Sequence, residues 1–335
     1  MSHIMANTPA PPLNDAHMGG FSLFGPFPCL AHSPLRIPFT KPPLSVSEQL
    51  QRLISRGLII NDREEAAHYL NHIGYYRLSG YTRPFQKDAG GVGSDDFIPG
   101  TTFDSVLDRY IFDRKLRLLV MDAVERIEVS IRSALSNEIA TRYGSHWYQD
   151  ARRFGPELSH YTFMEEIKTQ IGHDSSNRVR RDIYIQHYYS SYSSPDMPPC
   201  WMVFESVSFG TISKIYGHLA PQDFNYICKS LELNHHVLSS WLHSISYTRN
   251  ICAHHSRLWN RICGIKPLAA KAYKLDLTPN DRVYAQLVIM QVLLRKIAPD
   301  NHWAKRLHDL FGEHPKVPLV SMGFPSGWDT RAMWA

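Results

Sequence analysis

The chain has 335 residues, of which 43% are hydrophobic, and a formal net charge of +5 at pH 7. This apolar content is sufficient for one large domain or two modest ones. The mild positive charge is compatible with a polyanionic partner but does not require one. No apolar run reaches the roughly 18 residues that cross a bilayer, and the first residues lack the pattern of a secretory signal. The five scattered cysteines form no C-x-x-C pair, which is typical of reduced thiols and predicts a cytoplasmic protein.

The first 43 residues carry nine prolines, a density that disfavours helix and predicts an extended, disordered arm. After this arm the sequence predicts a small helical N-terminal subdomain at 44–100. A large helical domain is predicted at 101–312, with an insertion around 145–200. Residues 313–335 are predicted to be an irregular C-terminal tail.

Two short helices are predicted at the start of the N-terminal subdomain. The apolar residues of the first helix follow helical spacing at Leu50, Leu53 and Ile54. Gly57 is placed to end this helix, and Asn61 or Asp62 is placed to cap the next one. The tyrosine-rich segment from Tyr75 to Tyr81 is predicted to be a short strand or turn.

The strongest helical pattern runs from Ser105 to about Arg142, and Gly144 supplies a stop. At ~1.5 Å per residue such a helix exceeds ~50 Å in length unless it kinks. Its apolar positions recur at intervals of three, four or seven residues and are Leu107, Ile111, Leu118, Val124, Ile127, Ile131, Leu135 and Ile139. Further helices are predicted at 201–219, 221–231, 235–257 and 280–297. The chain is therefore expected to be mainly α-helical.

The stretch SYTRNICAHHSRLWNR, residues 246–261, places polar residues among apolar and aromatic ones. On a helix over 235–257, one apolar stripe is formed by Leu238, Trp241, Leu242, Ile245 and Cys252. Arg249 lies at the edge of this stripe, and His255 also falls near it. Asn250 and His254 are four residues apart and stand together on the opposite side. The predicted helix thus presents a polar pair outward.

These residue types fit metal-independent cleavage of RNA, in which a ribose 2′-hydroxyl attacks the adjacent phosphorus. Histidine can transfer protons near neutral pH, as a general base or a general acid. The guanidinium group of Arg249 can hold the phosphate and stabilise its growing negative charge. Asn250 can orient the imidazole or the ribose.

The spacing alone does not decide the chemistry, because a histidine on a helix is usually a solvated residue. Five other pairs have a similar spacing, namely Arg63/His68, Arg153/His160, Arg180/His187, Arg181/His187 and Arg295/His302. A zinc site from Cys252, His254, His255 and Cys263 is a further alternative. Its ligand spacing is poor, since one residue separates Cys252 from His254 and no second ligand pair is well spaced. No metal and no organic cofactor are predicted.

At the level of whole sequence blocks, the chain resembles the abortive-infection (Abi) proteins of the AbiD/AbiF type, which are bacterial phage-defence factors. The resemblance covers about residues 44–328 and leaves out the proline-rich arm. Six blocks carry it in order: LISRGLII, AAHYLNHIGYYRLSGYTRPF, YIFDRKLRLLVMDAVERIEVSIRSAL, WMVFESVSFGTISKIY, WLHSISYTRNICAHHSRLWNR and VPLVSMGFPSGW.

This resemblance implies a helical bundle of the HEPN type, in which an R-x(4–6)-H motif forms a ribonuclease site across a homodimer. The motif maps onto Arg249, Asn250 and His254 as catalytic residues, with His255 as a possible supporting residue. HEPN proteins often add a charged residue from an earlier helix, and the candidates here are Glu125, Glu128 and Arg132. Glu128 and Arg132 are one turn apart, so an ordinary intrahelical salt bridge is an equally good interpretation of that pair.

Two further segments are weaker candidates for RNA contacts. The basic cluster RVRRD, with Arg178, Arg180 and Arg181, is suited to the RNA backbone. In GYYRLSGY, stacking on Tyr76 and phosphate binding by Arg77 compete with a packing role for the same segment.

The expected protein is an endoribonuclease acting on RNA in abortive infection, as a homodimer restrained by an RNA or protein antitoxin. The alternative is a non-catalytic RNA- or protein-binding module with the same scaffold.

Overall fold

The computed structural model describes residues 38–87, 95–173 and 182–334, and Thr40–Ala335 form one compact unit. The predicted arm therefore lies almost entirely outside the described residues. The α-helices are α1 (Val46–Ser55), α2 (Arg63–Ile73), α3 (Tyr75–Thr82), α4 (Phe103–Ala134), α5 (Ala140–Tyr143), α6 (His160–Gln170), α7 (Ile183–Ser191), α8 (Cys200–Ser206), α9 (Phe209–Gly217), α10 (Pro221–Leu231), α11 (His235–Ala253), α12 (Val283–Ile297) and α13 (Trp303–Glu313). Within the described ranges β-structure is limited to isolated bridges. The prediction of a mainly α-helical protein is confirmed.

The ends of the first two helices are determined by capping residues next to them in the sequence. Ser45 caps α1 in a reciprocal capping box with Glu48, and Gly57 follows the helix with a φ of +90°. Asp62 caps α2, because its carboxylate accepts the backbone N–H of Glu65 at 2.9 Å. Both predicted boundaries are confirmed.

The prediction of a strand or turn from Tyr75 to Tyr81 is wrong, because this segment is helix α3. Gly74 adopts a φ of +87°, which lets the chain change direction at once between α2 and α3. Tyr81 is buried, and its hydroxyl donates to Asp113 of α4 at 2.5 Å. A tertiary contact therefore overrides the strand preference of the tyrosines.

The long predicted helix is present but not uniform. Helix α4 continues through a π-helical turn at Leu135–Ile139 into α5, and the chain leaves the helix at Gly144, which has a φ of +87°. Leu135 and Ile139 of this turn remain buried. The wider π turn thus keeps both apolar side chains in the core while it changes the helix register.

Helix α12 lies at the centre of the core and is buried on all sides from Val283 to Leu294. It packs against α4, α10 and α11, and α11 also packs against α4 and α9. The C-terminal tail is irregular, but it is buried rather than loose, since Trp334 donates to the hydroxyl of Tyr284 on α12 at 3.3 Å.

Other boundaries differ from those predicted. The helix predicted at 201–219 is two helices, because Ser208 accepts the N–H of Thr211 and so caps a new helix, α9. Helix α13 was not predicted. The division of the chain at residues 100 and 312 stays a prediction.

Candidate functional site

Polar contacts with α12 fix the rotation of helix α11. The side chain of Gln286 on α12 is fully buried, and its Oε1 accepts the hydroxyls of Ser244 at 2.8 Å and Thr248 at 3.1 Å. The predicted apolar stripe is buried, comprising Leu238, Trp241, Leu242, Ile245 and Cys252. Arg249 follows Thr248 directly, so its side chain leaves α11 about 100° further round the helix.

Arg249 lies in an open groove of about 540 Å³ between α4, α8 and α11. Its Nη1 donates a long hydrogen bond of 3.4 Å to Oδ1 of Asn250. Its Nε is buried and has no hydrogen-bond partner among the described residues. The lining comprises Met121, Asp122, Val124, Glu125, Glu128, Val129, Arg132, Glu205 and Arg249.

The same groove contains the predicted pair of Glu128 and Arg132. Arg132 is only 7% exposed, and its Nη2 donates both to Glu128 and, at 3.0 Å, to the carbonyl of Val207. Its Nη1 is buried without a partner among the described residues. The salt bridge is therefore present, but it satisfies only part of the guanidinium group. Arg132 and Arg249, which both line the groove, thus each keep one buried donor without a partner among the described residues.

The groove as a whole is acidic. Four carboxylates and two guanidinium groups line it, for a net charge of −2 at neutral pH. Asp122 is paired with Arg306 at 2.8 Å. Glu125 and Glu205 are exposed, and neither has an ion-pair partner within the described part of the chain. These two carboxylates are the uncompensated charges that a polyanion would meet.

Helix α11 ends at Ala253, four residues earlier than predicted, and His254 is its C-terminal cap. The N–H of His254 still bonds to the carbonyl of Asn250 at 3.0 Å, and both side chains are exposed. The residues that line the groove include Arg249 but not His254. Within one chain the two residues are therefore close in sequence but do not line the same groove.

His255 does not extend the apolar stripe, so that prediction is wrong. It has left the helix and adopts a φ of +55°, the left-handed conformation in which a side chain costs roughly 1–2 kcal/mol. The N–H of His255 bonds to Cys252 O, and the N–H of Ser256 bonds to Ile251 O, each at 3.0 Å. This pair of bonds is a Schellman motif, which glycine normally completes.

The remaining predicted site residues have separate locations. Tyr76 is 84% exposed on α3, whereas Nη1 of Arg77 donates to the carbonyl of His255 at 2.6 Å. Arg178, Arg180 and Arg181 lie outside the described residues.

The zinc alternative gains no support from the residues that the structure describes, which contain no group of three potential ligands able to hold a metal ion. Burial raises the pKa values of Cys252 and Cys263 to about 12 each. Both groups are therefore neutral thiols near pH 7 in the metal-free protein.

Sequence reasoning missed Asp113, which is fully buried on α4. Its Oδ1 accepts the backbone N–H groups of Leu258 at 3.1 Å and Trp259 at 2.6 Å, while its Oδ2 accepts Tyr81 and Arg117. Asp113 therefore ties the segment after His254 to α4 and α3. The sequence did contain a signal for the burial of Asp113, namely its helical spacing. It lies three residues before Leu116 and seven before Val120, which are both in the core.

Comparison with known proteins places these elements in a family. A family model described as Abi-like protein matches residues 68–260, from α2 to the segment after α11. This match covers more than half of the chain, including Arg249, Asn250 and His254. The chain belongs to the Abi-like protein family. The expected resemblance to abortive-infection proteins is thereby confirmed at the level of the family.

Two other comparisons add little to the Abi-like assignment. A segment of 73 residues is 33% identical to a glycerol-3-phosphate dehydrogenase (NAD(P)+) of Malacoplasma penetrans (strain HF-2), and this match covers 21% of the chain and 22% of that enzyme. The chain thus spans about a fifth of that curated relative, and its sequence has no G-x-G-x-x-G motif for a dinucleotide. No solved structure matches the chain.

Among the described residues, no helix combines the length and apolar character needed to cross a membrane.

Proposed function

We propose that this Abi-like protein is a metal-independent endoribonuclease of the HEPN type that acts in abortive infection. The observation that carries the proposal is the end of α11. There the side chain of Arg249 lines a groove, its buried Nε has no hydrogen-bond partner among the described residues, and the exposed His254 lies just beyond the last helical turn. A cationic donor and a proton-transfer group thus lie five residues apart in sequence at the C-terminal end of one helix.

In the proposed reaction, the ribose 2′-oxygen forms a bond to phosphorus and the bond from phosphorus to the 5′-oxygen breaks. His254 accepts the proton of the 2′-hydroxyl, and an acid must protonate the leaving 5′-oxygen. Arg249 stabilises the negative charge on the non-bridging oxygens, and Asn250, which accepts a hydrogen bond from Arg249, orients it. The products carry a 2′,3′-cyclic phosphate and a 5′-hydroxyl.

A homodimer is the assembly that best serves this chemistry. One chain provides a single His254, whereas the reaction transfers two protons. The single-chain groove contains Arg249 without His254. A second copy that packs its α11 against this α11 would bring two His254 side chains, one from each chain, to a composite site, with one histidine for each proton. An RNA or protein antitoxin is proposed as the restraint on this activity.

The experiment compares RNA cleavage in EDTA by wild type and by His254→Ala. His254 is exposed and makes no side-chain hydrogen bond among the described residues, so this substitution should not disturb folding. His243→Ala is the matched control, because His243 is an exposed histidine on the same helix. We expect His254→Ala to lower the rate by about 10²–10⁴-fold, the usual contribution of a general acid or base, and His243→Ala to leave it unchanged.

Two results would overturn the proposal. Equal cleavage by wild type and His254→Ala would exclude His254 as the proton-transfer group. Binding of RNA by both proteins with no cleavage by either would favour the non-catalytic binding module. Growth arrest on overexpression, relieved by His254→Ala and not by His243→Ala, would support the same assignment in the cell.

A further inference from the structure

Helix α3 and the turn that follows α11 are joined by reciprocal hydrogen bonds. Arg77 of α3 donates from Nη1 to the carbonyl of His255 at 2.6 Å, across 178 residues of sequence. In the opposite direction, Nη1 of Arg257 donates to the carbonyl of Gly80. Because these side chains reach across to each other's backbones, α3 is fixed against the turn that begins at His254.

The middle of this turn is its strained part. His255 has a φ of +55°, a conformation that persists where neighbouring groups hold it. On one side the turn is anchored by the last hydrogen bonds of α11. On the other side Asp113 accepts the N–H groups of Leu258 and Trp259. Between the two anchors, the bond from Arg77 holds the carbonyl of the strained residue itself.

The charge of Arg77 suits this position. The carbonyl groups at the C-terminal end of a helix carry partial negative charge, and a cation beside them is favourable. A guanidinium donor also makes a stronger hydrogen bond to a carbonyl than a neutral donor does. Arg77 therefore stabilises both the end of α11 and the left-handed residue next to His254.

We propose that Arg77 is a positioning residue, which fixes the turn after α11 so that His254 is presented in its working orientation. We call the hydrogen bond from Arg77 to the carbonyl of His255 the clamp. This inference rests on the proposed ribonuclease function, because it assigns the clamp a role in that reaction. It differs from the expectation that Arg77 contacts phosphate, since the Nη1 group already has an acceptor in the protein. It also assigns the N-terminal helices a role in the reaction.

The kinetic test compares Arg77→Ala with Arg77→Lys and with Arg63→Ala, an exposed arginine on α2. A misplaced catalytic group costs rate rather than affinity, so we expect Arg77→Ala to lower kcat by about 10–100-fold with KM nearly unchanged. Lysine keeps a cationic donor, so Arg77→Lys should recover part of the rate. Arg63→Ala should match wild type. A raised KM with unchanged kcat would overturn the inference, because that result identifies a phosphate contact.

A second variant tests the strained residue directly. Glycine adopts a φ of +55° without cost, so His255→Gly should reduce the need for the clamp. We expect Arg77→Ala to lower kcat by a smaller factor in the His255→Gly background than in wild type. Equal factors in the two backgrounds would overturn the coupling between Arg77 and the turn.

The rate of amide hydrogen exchange near His255 tests the clamp without any cleavage assay. Arg77→Ala should speed exchange at the N–H groups of His255 and Ser256, while the amides of α12 serve as an internal control. Unchanged exchange would overturn the clamp itself, whatever the enzyme does. Faster exchange with unchanged kcat would overturn the positioning role. A wild-type protein that cleaves no RNA would overturn the proposed function, and the exchange result would still report on the clamp.

Discussion

Substitution of Asp113 by alanine is expected to be among the most destabilising single changes in this chain. Asp113 is fully buried and accepts hydrogen bonds from the hydroxyl of Tyr81, from Arg117, and from the N–H groups of Leu258 and Trp259. Arg117 is itself only 6% exposed. Removing the carboxylate therefore leaves a buried guanidinium without its counter-charge and two backbone donors without their acceptor.

The size of the effect follows from these contacts. Removing one partner of a buried ion pair costs about 3–5 kcal/mol, and an orphaned buried donor costs about 1–3 kcal/mol. These terms overlap, since local relaxation and water satisfy some of the groups, so we expect a loss of about 4 kcal/mol in the free energy of unfolding. Such a loss is a large part of the about 5–15 kcal/mol that stabilises a typical domain.

Urea unfolding followed by tryptophan fluorescence measures this loss. Asp309→Ala is the control, because Asp309 forms an exposed pair with Lys305 at 2.7 Å and such pairs contribute about 1 kcal/mol or less. Arg117→Met in the Asp113→Ala background removes the stranded charge and should recover part of the stability. A loss below about 1 kcal/mol for Asp113→Ala, or strictly additive effects in the double variant, would refute the reasoning.

Three further predictions follow from the groove, the thiols and the tail. Glu125→Gln with Glu205→Gln should tighten RNA binding about 2–10-fold at low salt by removing two repulsive charges, and the gain should vanish at high salt in filter-binding titrations. Burial raises the pKa of Cys252 to about 12, so this thiol should resist iodoacetamide at pH 8 in the native protein and react after unfolding, as read by mass spectrometry. Trp334→Ala should lower the free energy of unfolding by about 3–5 kcal/mol, whereas Val320→Ala, at a 79% exposed position in the same tail, should change it by less than about 0.5 kcal/mol.

Local patterns were sufficient for the helices whose ends are determined by nearby residues. Asp62 and Gly57 act within one turn of the helix that they bound, so the sequence around them contains the necessary information. The long apolar pattern of α4 and α5 was likewise found, because the spacing of Ile131, Leu135 and Ile139 survives the π turn. The turn itself was not predicted, since nothing in that spacing distinguishes it from an α-helix.

Features set by distant contacts were not accessible to the same reasoning. The helical state of α3 depends on Tyr81 reaching Asp113, and the left-handed His255 depends on Arg77, 178 residues away. The early end of α11 is a related case, because His255 occupies a position where glycine is the usual signal. Sequence thus identified Arg249, Asn250 and His254 as candidates, but not the turn that separates His254 from the helix.

The surroundings of the competing arginine–histidine pairs explain why Arg249 and His254 remain the preferred candidates. Arg153 is already ion-paired with two aspartates, and the ring of His160 is hydrogen-bonded to a backbone carbonyl at 3.1 Å. Arg295 donates to a carbonyl of the C-terminal tail at 2.8 Å. Each of these two arginines is therefore engaged by oxygens of the protein, although Nε of Arg153, like Nε of Arg249, has no hydrogen-bond partner among the described residues. Arg249 instead has no ion-pair partner among the described residues and lines an open groove, and His254 is exposed at the C-terminal cap of the same helix. Arg63 and His68 are exposed as well, but Arg63 lies outside residues 68–260 that the family model matches, whereas Arg249 and His254 both lie inside them.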